Sequence, residues 1–184
     1  SGENRIPSLT SGTSTTTYSY GAGLFEILTS TATSTASISD LTVEANFVGV
    51  EAVEANLLVG GIAIDSSGSI SNVNISGFNS TLVVYEANSR LIGAYAGITA
   101  MNRGTVESCA VISDITLSDS SSGTTYTQNF FIGGLVFTNY STISNSRVNA
   151  NITLNLSSTS QATHQLAGIT VASTVRGSVL GNSV

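Results

Sequence analysis

Lysine and tryptophan are absent from this 184-residue chain, and cysteine, proline, methionine and histidine occur once each. A lone Cys109 allows no intrachain disulfide and no thiolate metal site. Charge is scarce as well. Charged residues make up 9% of the chain, well under the usual quarter, and five arginines face eleven acids for a net charge of −6. Without a basic cluster there is nothing to neutralise nucleic-acid phosphates, and an anionic membrane surface would repel the chain. No apolar run approaches the ~20 residues of a membrane span. The chain begins at Ser1 with neither an initiator Met nor a signal-peptide pattern, so Ser1 reads as an internal or processed start.

What is present points to a packed protein with an uncharged polar exterior. Hydrophobic residues reach 41%, enough for a core and too many for wholesale disorder. The solvated face must then be built from Ser, Thr and Asn, as expected of an extracellular or cell-surface protein.

One phrase recurs four times: Gly61-Ile62-Ala63-Ile64, Gly97-Ile98-Thr99-Ala100, Gly134-Leu135-Val136-Phe137 and Gly168-Ile169-Thr170-Val171. A fainter copy begins at Gly23, and the successive glycines are 38, 36, 37 and 34 residues apart. A period in this range marks a solenoid, in which one supersecondary unit stacks on its own copies. A second block follows each glycine phrase: Ile38 to Val43, Ile70 to Ile75, Val106 to Val111, Ile143 to Val148 and, after a shorter connection, Val175 to Leu180. A third block contains Phe47, a shifted Phe78 to Leu82, Ile115 to Leu117, and Ile152 to Leu154.

The blocks are short, β-branched and bounded by turn residues, which predicts strands and no helix. Asp65 to Gly68, Asn102 to Gly104 and Thr138 to Ser141 are expected to be tight turns, with Asn and Gly supplying positive φ. Within the second block the apolar spacing skips, as from Ile70 to Val73, which predicts a bend. The polar stretches Ser118 to Gln128 and Ser157 to His164, with Thr81 to Arg90, are expected to be outward loops.

The expected fold is therefore all-β: a right-handed parallel β-helix (β-solenoid) of about five coils over residues 23–184. Residues 1–22 form a lead-in or N-terminal cap. Equivalent side chains should stack at about 4.8 Å. The predicted stacks are Ile38, Ile70, Val106, Ile143, Val175; then Leu41, Val73, Cys109, Ser146, Ser178; then Val43, Ile75, Val111, Val148, Leu180. Cys109 is read as a small buried hydrophobe. Val184 aligns with Ile152, leaving the last coil uncapped, so the chain is read as a piece of a longer solenoid or as pairing with another subunit.

Gly133 to Ser146 (Gly-Gly-Leu-Val-Phe-Thr-Asn-Tyr-Ser-Thr-Ile-Ser-Asn-Ser) resembles the GLUG motif of bacterial and protist surface proteins. Ala96 to Cys109 matches it nearly as well, including Asn102 and Gly104, whereas Gly60 to Val73 has Ser66 in place of the asparagine. The resemblance implies a right-handed β-helix in large extracellular adhesin-like proteins, and it implies no catalytic residues.

Polysaccharide cleavage by a β-helix needs carboxylates converging in one groove. Asp40, Asp65, Asp114 and Asp119 occupy different repeat positions, and Glu44, Glu51 and Glu54 read as a modest acidic, solvated stretch. His164 is the only centre for a Ser-His-Asp triad and lies in a polar loop. Asp65 to Gly68 lacks the acidic density of a calcium repeat. Ice binding would need a Thr-x-Thr row in every coil, and Thr31, Thr33 and Thr35 supply one. No catalytic, cofactor or metal residue is assigned. Asn74, Asn79, Asn139, Asn151 and Asn155 lie in Asn-x-Ser/Thr sequons and are candidate glycan acceptors in a eukaryotic source. The expected function is a non-enzymatic stalk or surface-display module with a carbohydrate or cell-surface ligand. The alternative is a subunit that self-associates through solenoid ends into an extracellular filament, and a further alternative is a polysaccharide-active enzyme.

Overall fold

The glycine phrases sit where the chain passes from one parallel sheet to the next. The computed structural model describes residues 8–11, 14–17, 20–52, 56–84, 90–119, 127–155, 164–174 and 176–184, and among them there is no helix. One sheet contains Tyr20–Ala22, Asn56–Gly60, Arg90–Ala96, Thr127–Gly133 and Gln165–Ala167. A second contains Phe25–Leu28, Ala63–Ser66, Thr99–Asn102, Val136–Asn139 and Thr170–Ser173. The third holds Ser37–Ala52, Ser69–Val84 and the shorter strands that stack beyond them. Pairing within all three is parallel, and one turn of chain visits each in order. Ser8–Ser11 and Ser14–Thr17 form a separate antiparallel hairpin.

The fold is thus an all-β parallel solenoid. The turns entered at Asn56, Arg90 and Thr127 have a neighbour on both sides, and those entered at Tyr20 and Gln165 have one each. About five expected coils resolve into three enclosed turns between two end turns.

Close stacking explains the glycines. A Cβ on Gly61 would overlap the Gly97 carbonyl, one on Gly97 the Gly134 carbonyl, and one on Gly134 the Gly168 carbonyl. Bonds along the axis hold this corner: Ile98 N–H donates to Leu135 O at 2.9 Å, and Leu135 N–H to Ile169 O at 3.1 Å. Successive backbones approach too closely here for any side chain, so glycine recurs at each turn.

The predicted stacks hold through four turns. Ile38 pairs with Ile70, Ile70 with Val106, and Val106 with Ile143. Val43, Ile75, Val111 and Val148 likewise share one register. The fifth turn differs from expectation. Ile143 pairs with Val179 rather than Val175, which lies outside the described residues. Ser183 bridges Arg147, so Asn182 rather than Ser178 continues the Cys109 stack, and Val184 rather than Leu180 follows Val148, not Ile152. The block that begins the last stack is therefore Ser178 to Val184. In the third block Ala45, not Phe47, precedes Phe78 and Ile115.

The bend predicted within the second block is a single left-handed residue repeated at every turn: Asp40, Asn72, Ser108 and Asn145 have φ of 57°, 52°, 53° and 50°, and Gly181 completes the series at 60°. The Asn102 and Asn139 turns do not belong to that set, so positive φ is not why asparagine stands there.

Two apolar clusters lie on opposite sides of the first two sheets. Leu57, Val59, Ile62, Tyr95 and Ile98 join Ile70, Val106 and Ile143 in the larger core. Leu58, Ile64, Ala94, Ala96, Met101 and Phe137 form a second cluster, with Phe131 packed at 5.9 Å from the Phe137 ring. Strand alternation divides the runs in this way, so these strands bury both faces. Continuous runs such as Leu57-Leu58-Val59 carry that signal in the sequence.

Candidate functional site

The asparagine of the GLUG-like turn is buried and belongs to a ladder along the axis. Asn102 and Asn139 are both wholly inaccessible. Asn102 Nδ2 donates to Asn139 Oδ1 at 2.8 Å and to Thr142 O at 3.1 Å, while its Oδ1 accepts from Gly104 N–H. Asn139 repeats the pattern one turn on, with Nδ2 donating to Ser141 O and Ser178 O and Oδ1 accepting from Ser141 N–H. Ser66 precedes Asn102 in the register, and its buried Oγ finds no partner.

The ionisable side chains are also tied between neighbouring turns. Arg103 Nε lies 3.2 and 3.1 Å from the two carboxylate oxygens of Asp65, and its guanidinium stacks 4.7 Å from the Tyr140 ring centre. Burial pushes the Asp65 carboxyl above its ordinary value, and Arg103 only partly offsets this. Asn72 donates to Asp40 Oδ1, which holds that carboxyl below its ordinary value. Asp114 Oδ1 accepts from both the backbone and the side-chain amide of Asn151 at 3.0 Å.

These carboxylates sit in separate columns, as the sequence suggests. Glu51 lies on the strand Ser37–Ala52, Asp119 ends the strand Ile115–Asp119, and Glu54 falls outside the described residues. One relationship is hidden in the sequence: Glu44 pairs with Gly77, and Asp114 directly precedes Ile115, whose partner Phe78 follows Gly77. Glu44 and Asp114 therefore stand on either side of one glycine, their backbones about 9–10 Å apart at the normal strand spacing. A Cβ on Gly77 would sit 2.8 Å from Glu44 Cγ, so the Glu44 chain lies over that gap. A slipped register within the second and third blocks hid this alignment in the sequence. Among the described residues no three His, Cys, Asp or Glu side chains gather as a metal site would require.

His164 is half-buried and stacks on Phe130 with ring centres 5.6 Å apart, and its Nδ1 accepts the Phe130 backbone N–H at 3.3 Å. Its acceptor nitrogen serves the edge of a strand. Cys109 is buried as expected, with Sγ 3.3 Å from Glu107 O and 3.6 Å from Ile70 O, and burial pushes the thiol up. Thr31, Thr33 and Thr35 lie exposed in a connection, where Thr31 closes a turn with Ser34.

Of the five sequon asparagines, Asn79, Asn151 and Asn155 are exposed and Asn74 is half-buried. Asn139 lies in the turn expected there, but as a glycan acceptor it is corrected, because its side chain is buried. Its Nδ2, the atom a glycan would take, is the buried donor to two carbonyls. Two open concavities lie among the described residues, one of about 310 Å³ near Ile112, Arg147 and Val184 and one of about 290 Å³ near Leu24, Glu44 and Gly61. No family model, curated protein or solved structure matches the chain.

Proposed function

We propose that this solenoid is a non-enzymatic extracellular stalk or surface-display module of the adhesin type. One observation carries the reading: four sets of polar and ionisable side chains among the described residues join one turn to the next. Asp40–Asn72, Asp65–Arg103–Tyr140, Asn102–Asn139 and Asp114–Asn151 all run along the axis. Such bonds stiffen a spacer and hold a polar, weakly charged surface at a fixed distance. The resemblance of Gly133 to Ser146 to the GLUG motif favours the same reading.

The test pairs two assays. The chain immobilised on beads is expected to capture carbohydrate or cell-surface ligands from a glycan panel and to leave polysaccharides uncut. Turnover on a polysaccharide panel, lost on changing Glu44 and Asp114 together, would establish the enzyme alternative instead. Changes at Asp65 or Glu107 provide the same check elsewhere on the surface.

A further inference from the structure

The chain's one histidine ties two turns together by a bond that only its uncharged form can make. Strand Gln165–Ala167 pairs with Thr127–Gly133 from Phe131 and Gln165 onward. One residue earlier a side chain continues the ladder: Phe130 N–H donates to His164 Nδ1 at 3.3 Å. A backbone N–H only donates, so Nδ1 presents its lone pair and the ring proton sits on Nε2.

Phe130 is held on its other sides. It is 2% exposed, its ring packs 6.0 Å from the Tyr95 ring, and a Cβ on Gly93 would lie 2.8 Å from its Cδ1. The half-buried imidazole stacks on that ring, with centres 5.6 Å apart and planes 22° apart. Phe130 has no room to follow a change at His164, so the imidazole is the group that moves.

The surroundings supply no counter-charge. His164 is the only ionisable residue between Arg147 and Arg176 in the sequence, and Thr127–Gly133 and Gln165–Ala167 contain none. Of the strands packed against these two, Val136–Asn139 and Thr170–Ser173 are equally uncharged, and Arg90–Ala96 contributes Arg90 and Tyr95. No carboxylate stands on any of these elements to pair with an imidazolium.

We propose that His164 is a pH-dependent latch between the fourth and fifth turns, closed when neutral and open when protonated. A proton added at Nδ1 sets an N–H against the Phe130 N–H, so the hydrogen bond is lost and two donors oppose each other. The charged ring is also held half out of water with no acid beside it. Histidine changes charge between about pH 5 and 8, so the latch opens in mild acid. Burial pushes Cys109 and Tyr140 up, away from that range, whereas Asp65, raised from the ordinary 3.8, moves toward it. The rod is thereby continuous at neutral pH and loosened at one joint in acid, whether or not it serves as a stalk.

The experiment is amide hydrogen exchange by NMR on the 184-residue chain across that pH range, expressed as protection so that the intrinsic pH dependence of exchange drops out. Protection of Phe130 and of the amides from Gln165 to Ala167 should fall roughly tenfold on acidification, in step with the His164 ring titration. Ile98, whose N–H is bonded to Leu135 O, should keep its protection. His164→Asn supplies an oxygen that accepts at any pH and should abolish the dependence. His164→Phe keeps the stack without the acceptor and should leave Phe130 poorly protected throughout. Equal protection of Phe130 in the parent at both ends of the range overturns the proposal. The same fall in His164→Asn overturns it too, and assigns the effect to Asp65 instead.

Discussion

Asn102 and Asn139, 37 residues apart in sequence, share a buried 2.8 Å hydrogen bond and complete each other's polar requirements. Each amide also satisfies backbone groups of its own turn and the next. Replacing Asn139 by Leu would strand Ser141 N–H and the carbonyls of Ser141 and Ser178 without their partner. Unpaired buried polar groups cost about 1–3 kcal/mol each, so with three of them a loss of about 3 kcal/mol or more is expected. Urea unfolding measures it as a lower midpoint with an unchanged slope. A midpoint like the parent's would mean the ladder contributes little.

Ser66 occupies the ladder position one turn earlier, and its buried hydroxyl has no partner. Ser66→Asn should extend the ladder toward Asn102 and raise stability by about 1 kcal/mol, the net worth of one internal hydrogen bond. A lower melting temperature would show that this turn has no room for the longer amide.

The stacked glycines differ sharply from Gly77. Gly97→Ala would push a methyl into the Gly134 carbonyl and to 2.5 Å from Val111 Cγ2. Both neighbours are fixed, so a loss of about 2 kcal/mol or more is expected from overpacking. Gly77→Ala meets only the movable Glu44 side chain and should be nearly silent. Paired thermal melts decide the point, and equal tolerance would contradict the close approach at Gly97.

Ser108 holds a left-handed backbone, φ 53°, where neighbouring turns place Asp40, Asn72, Asn145 and Gly181. Serine gains less there than Asn or Gly. Ser108→Gly should therefore stabilise the fold by about 0.5–1 kcal/mol, while Val111→Asp, which buries an unpaired charge in the core, should be severely destabilising. Ser120, the loop position suited to a silent control by sequence, lies outside the described residues.

The pH dependence should separate two aspartates. Asp65 is raised above the ordinary 3.8, so the folded state takes up its proton first. That group favours folding as pH falls through its raised value and disfavours it above. Asp40 is lowered, so its contribution is present above 3.8 and lost as pH falls through its lower folded value. Asp65→Asn should be no less stable than the parent at neutral pH, with the gap closing on acidification; Asp40→Asn should show the opposite trend. Carboxyl NMR titration checks the order directly.

Much of the fold was legible because a solenoid repeats its requirements. The glycine at each corner and the column Ile38, Ile70, Val106, Ile143 answer the same local geometry at every turn. The fifth turn departs from the pattern because its connection is two residues longer, with four residues between Ser173 and Ser178 against two between Asn139 and Thr142, and Val175 imitates the pattern four residues early. The left-handed residue at Gly181, stacked on Asn145, agrees with the register set by Ile143–Val179 and Arg147–Ser183.

The sequence by itself determined the period, the strands, the enclosed core columns and the burial of Cys109, since these depend on residue types recurring at near-constant spacing. Tertiary structure alone decided the asparagine ladder, the partners within the second apolar cluster and the placing of Glu44 and Asp114 on either side of Gly77. Each of those joins side chains a full turn or more apart, where one inserted or missing residue in a connection changes which partners meet.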